Sequence, residues 1–304
     1  MADLKDRFVD FIRGLQDEIC QAIEELDGLA TFQEDLWDRP GGGGGRSRVL
    51  SNGKVFEKAG VSTSIVHGEM PEALKKNMKT EGSKFFACGI SLVIHPENPM
   101  APTTHANFRF FEMYDKNDTI IDAWFGGGSD LTPYYLFEED AIHFHAEQKK
   151  AADKHDSALY PRFKKACDDY FRNHHRDEGR GIGGTFFDYC KANENHSLED
   201  WYNFTTDMGK SFLPSYLPIV AKRKDQSYTD DQRYWQELRR GRYVEFNLVH
   251  DRGTLFGLRT NGRTESILMS LPPRVRWDYN VQVEEGSPEA ELIAVLKEPK
   301  NWLN

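Results

Sequence analysis

The run SLVIHPENPMAPTTHANFRFF starts at Ser91 and is followed, after a short polar loop, by DAWFGGGSDLTP. Segments this rich in aromatic and β-branched residues, bounded by turn formers, read as strands. They set His95, His105, Asn107, Arg109 and Asp130 beside a triple-glycine bend, so imidazole, guanidinium, amide and carboxylate groups can converge on one ligand. In ANFRFF, Arg109 alternates with Phe108 and Phe110 and projects from the opposite face of a strand. If that face is a cleft, its planar fork suits a carboxylate better than a lysine would. The plainer alternative is a surface ion pair. Asp130, after three glycines and before Leu131-Thr132-Pro133, equally fits a helix or turn cap.

The rest of the chain supplies helices and further strands. Leu4, Phe8, Ile12, Leu15, Ile19, Ile23 and Leu26 recur at three- and four-residue steps, which predicts an amphipathic helix over 3–27. Strand-like runs fall near 60–67, 85–94, 103–114, 119–125, 182–188, 243–249, 254–260 and 264–271, and helical patterns near 137–152, 158–175, 198–221 and 229–240. The last three strands are separated by Asp251-Arg252-Gly253 and Asn261-Gly262-Arg263, too short for parallel crossovers, which predicts an antiparallel meander. Gly41 to Gly45, followed by Arg46, Ser47 and Arg48, reads as a mobile loop, because each glycine adds backbone entropy to be lost on ordering. The pattern is α+β: a large, mainly antiparallel sheet flanked by helices on both faces. The length allows either one large domain or two, with 1–40 read as the N-terminal helix and its connection.

Charge and cysteine usage narrow the function classes. A net charge of -10 and a pI near 5.5 argue against a general binder of nucleic acid or anionic membrane, so an acidic ligand must be met by local arginines. Cys20, Cys88, Cys167 and Cys190 form no CxxC pair and read as reduced, buried thiols. MADLKDRFVDFIRG mixes acids with bases and has no apolar run, and no segment approaches the ~18 apolar residues of a membrane span. A cytoplasmic location is expected. Gly41–Gly45 lacks the Gly-Lys-Ser/Thr of a phosphate loop, and GIGG at 181–184 lacks dinucleotide spacing. No organic cofactor is expected. His95, His105, His145 and His175 are metal-ligand candidates by residue type, without the close pair of an HExxH helix.

HPENPMAPTTHANFRFF, WFGGGSDLTPYY, EEDAIHFH, YPRFKKACDDYF, HRDEGRGIGGTFFD, LPIV, RRGRYVEFNLVHDRGTLFGL and GRTESILMSLPPRVRW occur in this order between about Gly41 and Trp277. Together they resemble the oxygen-dependent coproporphyrinogen III oxidase family. Departures are Ala123 where a second Trp is usual, Tyr189 where Asp is usual and Ser62 where Asn is common. None removes a residue assigned to chemistry.

The resemblance implies oxidative decarboxylation of the ring A and B propionates of coproporphyrinogen III to vinyl groups, with O2 as co-substrate, CO2 and H2O2 released, and protoporphyrinogen IX as product. It implies His105, Asp130 and Arg109 as catalytic residues, with His105 a proton donor and Asp130 bound to the pyrrole N–H groups. Ser91, Asn107, Phe108, Arg109, Asn261, Gly262 and Arg263 are implied in substrate binding. One domain over 1–304, a large sheet covered by helices on both faces, is implied, assembled as a homodimer with Tyr243, Glu245, Asn247 and Val249 on one face of the YVEFNLV strand as its contact. A divalent metal on the four histidines is compatible with the family but not required. The alternatives are a histidine-metal oxygenase and a non-catalytic porphyrin carrier.

Overall fold

The first helix shows why the sequence folds as it does. In α1 (Leu4–Asp27) Phe8, Ile12, Ile19 and Ile23 are fully buried against one face of a sheet. Gln16, buried on the same face, donates to the Arg46 and Val61 carbonyls and accepts from Arg46 and Thr63, pinning helix to sheet. Gly28, in the left-handed region at φ 71°, closes the helix by donating to the Glu24 carbonyl. The chain is seen in a computed structural model that describes residues 3–72, 75, 80–259 and 262–303.

The sheet has seven strands in the order β1 (Gln33–Asp38), β2 (Gly43–Ser51), β3 (Phe56–Glu69), β4 (Lys84–Pro96), β5 (Thr103–Tyr114), β6 (Ile120–Thr132) and β9 (Gly184–Cys190). Every neighbouring pair is antiparallel. A two-stranded ribbon, β7 (Arg172–Asn173) and β8 (Glu178–Gly179), lies between β6 and β9 in the chain. The helices are α2 (Glu138–Ala152), α3 (Leu159–Tyr170), α4 (Leu198–Lys210), α5 (Phe212–Arg223), α6 (Asp230–Glu245), α7 (Arg252–Arg259), α8 (Thr264–Leu268) and α9 (Pro288–Lys297).

The α+β architecture matches expectation, but the two faces of the sheet differ more than expected. One face packs on α1 to α5 through a core that includes Phe108, Phe110, Phe125 and Phe187. The other is only partly roofed, by the segments around Phe171–Arg180 and Tyr243–Leu271.

Five local expectations are corrected. Gly43–Gly45 is strand, with Gly44 and Gly45 paired on both sides, rather than part of a mobile loop. A Cβ on Gly45 would stand 2.2 Å from Trp37 Cζ2, so the missing side chain lets the indole lie across β2. The triple glycine is not a bend but the interior of β6, and β6 continues to Thr132. The meander over 243–271 is absent: α6 runs to Glu245, a π turn spans Phe246–His250, and α7 and α8 come next. YVEFNLV alternates, but Tyr243, Phe246 and Asn247 also share a helical face at three- and four-residue steps, and that face is the one buried. The expected helix over 198–221 is divided at Ser211 into α4 and α5, and the one over 158–175 ends at Tyr170.

His145 on α2 is fully buried beneath the sheet, with Nε2 against the Ile182 carbonyl at 3.2 Å and Nδ1 against the Tyr160 hydroxyl at 2.9 Å. A carbonyl only accepts, so Nε2 carries the proton and Nδ1 accepts from Tyr160. Burial pulls this imidazole down to about 3. The folded state then stays neutral while the unfolded chain takes up a proton near the ordinary 6.5. Stability should therefore fall as pH drops from 6.5 towards 3, by up to about 1.4 kcal/mol per pH unit. Thermal unfolding between pH 7 and 4 should show this slope, and His145→Gln should flatten it; an equal slope in the variant would assign it elsewhere.

Candidate active site

The strand register lays the open face out in rows. Val93, His105, Asp130 and Gly184 are consecutive partners on β4, β5, β6 and β9. In the next row Asp35, Ser47, Ser62, Ser91, Asn107, Gly128 and Phe186 cross all seven strands. Beyond it run Trp37, Gly45, Ser64, Gly89, Arg109 and Gly126. Side chains on alternate residues share a face, so these rows form one surface. Its middle is floored by serine and glycine, and Ser64, Gly89, Ser91, His105, Asn107 and Arg109 are half-buried. A floor of small side chains ringed by polar groups suits a broad ligand.

Asp130 is 1% exposed and carries a concentrated set of contacts. Arg180 Nη2 donates to Oδ1 at 2.7 Å and to Oδ2 at 2.8 Å, and His105 Nδ1 lies 2.8 Å from Oδ1. Burial pushes the Asp130 carboxyl up, but the Arg180 charge and the His105 bond outweigh it and hold the group below the usual carboxylate range. A carboxylate only accepts, so His105 donates from Nδ1 and its Nε2, without a partner among the described residues, is left for a ligand. Asp130 Oδ1 accepts from both His105 and Arg180, Oδ2 accepts from Arg180, and the carboxylate is thereby tied to the imidazole that faces the open surface.

Arg180 is the residue that sequence reasoning missed. Its guanidinium, also buried, donates from Nη1 to Asn247 Oδ1 at 2.9 Å and lies 4.1 Å, 4.8 Å and 4.9 Å from the ring centroids of Phe171, Tyr243 and Phe246. The paired carboxylate raises its pKa against the pull of burial. The only local signal was an arginine among glycines in GRGIGG. Its partners lie 50 and 67 residues away in the chain, beyond any motif spacing.

Arg109 lies in the row two beyond His105, on the same face. Nη1 donates to Asn107 Oδ1 at 2.7 Å and Nη2 pairs with Asp188 Oδ1 at 2.8 Å. Asn107 in turn donates to the Ile90 carbonyl. Ser91 is the cross-strand partner of Asn107. Phe108 is corrected: at 1% exposure its side chain is on the helix-covered face and cannot touch a ligand on the open one. Arg263 pairs with Asp35 and donates to Ser266 Oγ, which meets Ser47 Oγ at 2.9 Å. Arg263 therefore stands over β1 and β2, three to four strand spacings from Arg109, or roughly 14–19 Å. Gly262 donates to the Gly257 carbonyl and leads into α8 rather than turning a hairpin. Asn261 lies outside the described residues.

The four candidate metal ligands do not converge. His95 bonds Thr103 and the Ser270 carbonyl, His105 bonds Asp130, His145 is under the sheet, and His175 bonds His250 and Glu245. Among the described residues no group of three or more His, Cys, Asp or Glu side chains is arranged to hold a metal ion. The residues as placed do not fit the four-histidine metal site.

A family model described as Coproporphyrinogen III oxidase matches residues 7–302, which takes in the whole sheet and every site residue discussed above. The chain belongs to this family. It is 51% identical to Coproporphyrinogen-III oxidase 1, chloroplastic, of Arabidopsis thaliana over 99% of this chain and 80% of that protein. It is 52% identical to the oxygen-dependent coproporphyrinogen-III oxidases, chloroplastic, of Glycine max and Nicotiana tabacum, over 99% of this chain and 80% and 78% of theirs. The sequence resemblance and the site thus lead to one family.

Proposed function

We infer that this chain catalyses the oxygen-dependent conversion of coproporphyrinogen III to protoporphyrinogen IX, a step of haem biosynthesis. At each of two propionates the β-carbon gives up a hydride equivalent to O2 as CO2 leaves, and one proton completes H2O2. The observation that carries the mechanism is the Asp130–His105 pair beside Arg109 on a serine and glycine floor. The floor admits the broad, reduced macrocycle, whose saturated bridges let the pyrrole rings tilt. Arg109 holds a propionate, and Arg263, at the far end of the face, is placed for a carboxylate on another ring. Asn107 aims Arg109, and Ser91 lies beneath the ring.

His105 Nε2, its tautomer set by Asp130, exchanges a proton with the substrate. The electron-rich tetrapyrrole is itself the reductant of O2, so the reading calls for no organic cofactor and routes no step through a metal. Aerobic incubation with coproporphyrinogen III, followed by chromatography of the oxidised porphyrins, should show a three-propionate intermediate and then the two-propionate product. Product formed under argon would end this assignment, and tight binding of oxidised porphyrin with no turnover would favour a carrier.

A homodimer is part of the proposal, with its contact redrawn. Tyr243 and Asn247 are 2% and 4% exposed within the protomer, and Glu245 is bonded to Arg176, His175, Arg242 and Trp277. Val249 is exposed, alongside Leu248, Phe256 and Leu258, an apolar set on the π turn and α7. That surface supports self-association better than the expected strand does. Sedimentation at micromolar concentration should give about twice the 35.0 kDa chain mass, and a species of one chain mass alone would remove the dimer.

Cytoplasmic location is likewise proposed. The segment Leu4–Asp27 is built into the core, and no helix among the described residues is long and apolar enough to cross a membrane. Cell fractionation tests this placement.

A further inference from the structure

We propose that Asp188 is the resting counter-ion of Arg109, a carboxylate of the protein that occupies the substrate-carboxylate position and is handed to Arg252 when the ligand arrives. The proposal rests on the reading of Arg109 as a propionate anchor. It begins with the β6–β9 register, in which Phe125 pairs with Cys190 and Gly127 with Phe187, so Gly126 alone faces both Asp188 and Tyr189. This is a bulge, and Tyr189, a non-glycine residue at φ 51°, is the residue that takes the left-handed conformation.

The bulge brings Asp188 over Gly126 towards Arg109. A Cβ on Gly126 would stand 3.0 Å from Arg109 Nε, Arg109 Nη2 and Asp188 Oδ1, so the missing side chain lets the pair lie flat on the sheet. Tyr189 packs tilted against Trp124 with ring centroids 4.7 Å apart, and the Arg109 guanidinium lies 5.7 Å from the Trp124 ring.

The pair is built to open. Asp188 pairs with Arg109 Nη2 through Oδ1 at 2.8 Å, and that oxygen also accepts from the Tyr189 N–H at 3.0 Å. Side-chain exposures of 31% for Arg109 and 19% for Asp188 leave both ends within reach of solvent. A part-exposed pair whose oxygen is shared with a backbone N–H is weak compared with the two-point contact that a free carboxylate can make with a guanidinium. Asp188 Oδ2 already lies 4.0 Å from Arg252 Nη2, and Arg252 rests on the Tyr170 ring at 4.7 Å. Asp188 can therefore leave Arg109 without losing a cationic neighbour. It competes with substrate for the anchor and weakens binding of any carboxylate that does not displace it.

The test measures affinity for coproporphyrin III, the oxidised and unreactive macrocycle, by fluorescence titration of the folded protein. Asp188→Asn should bind about three- to tenfold tighter, with a steeper salt dependence. In reactions with coproporphyrinogen III its KM should fall without a rise in kcat. In an Arg109→Gln background the same substitution should give no tightening, because the effect passes through that arginine.

Asp188→Ser carries the same expectation should the asparagine variant fail to fold. Unchanged or weaker binding by a folded Asp188 variant overturns the proposal, as does tightening that persists without Arg109. Wild type that binds no coproporphyrin III would overturn the reading of Arg109 beneath it, and would show this before any substitution is made.

Discussion

Asp130→Asn should lower kcat for coproporphyrinogen III about 10²- to 10⁴-fold, and should also lower the unfolding free energy by about 3–5 kcal/mol. Both losses come from one carboxylate. An amide cannot receive Arg180 at both positions and His105 as well, so the imidazole loses the partner that fixes its proton on Nδ1. The buried Arg180 is left as an uncompensated charge, with Asn247 as its remaining polar contact. Turnover and the urea midpoint, measured together, check the pair of effects. The double variant Asp130→Asn/Arg180→Met removes both charges and should recover much of the stability, as replacement of a whole buried pair commonly does. It should recover none of the turnover. A single variant with near-normal turnover would exclude Asp130 from the chemistry.

Arg180→Met is expected to reverse the pH dependence of stability that Asp130 confers. In the wild type the folded pKa lies below the ordinary 3.8, so this contribution is complete above 3.8 and is lost as pH falls through the folded value. Removing Arg180 takes away the largest influence that lowers this carboxyl and leaves His105 alone against burial, the largest influence of all, so the folded pKa is expected to rise above 3.8. The folded protein then binds more protons than the unfolded chain between 3.8 and the raised value, so stability decreases as pH rises through that window. At pH 7 the loss should reach about 3–5 kcal/mol, the usual result of stranding one member of a buried pair, and it should shrink towards pH 4.5. Unfolding free energies at the two pH values, compared with wild type, check this. The acid limb of the activity profile should move upward with the Asp130 pKa. A loss of equal size at both pH values would show that Arg180 contributes packing against Phe171, Tyr243 and Phe246 rather than charge.

By itself the sequence determined the local periodicities and the faces they define. Three- and four-residue apolar steps fixed α1, and alternation fixed the paired cores of β3 to β6, because these periods sort side chains onto faces before any long-range contact forms. Alternation also put Arg109 on the face opposite Phe108 and Phe110, and the ordered motif blocks pointed to the right family. It misled where two periods coincide, as in YVEFNLV, which scans as a strand but lies in a helix and a π turn. It misled again at Gly43–Gly45, where the lost backbone entropy is offset by pairing of Gly44 and Gly45 on two sides and by the room left for Trp37.

Only the tertiary structure decided that Asp130 faces inward to Arg180, that His105 turns Nδ1 to Asp130, and that Asp188 already pairs with Arg109. Each is a contact between residues 25 to 79 positions apart, as their numbers show: 105 to 130, 130 to 180 and 109 to 188. Spacing along the chain carries no trace of such pairs, because they exist only once strand register and the β9 bulge have placed both partners on the same face.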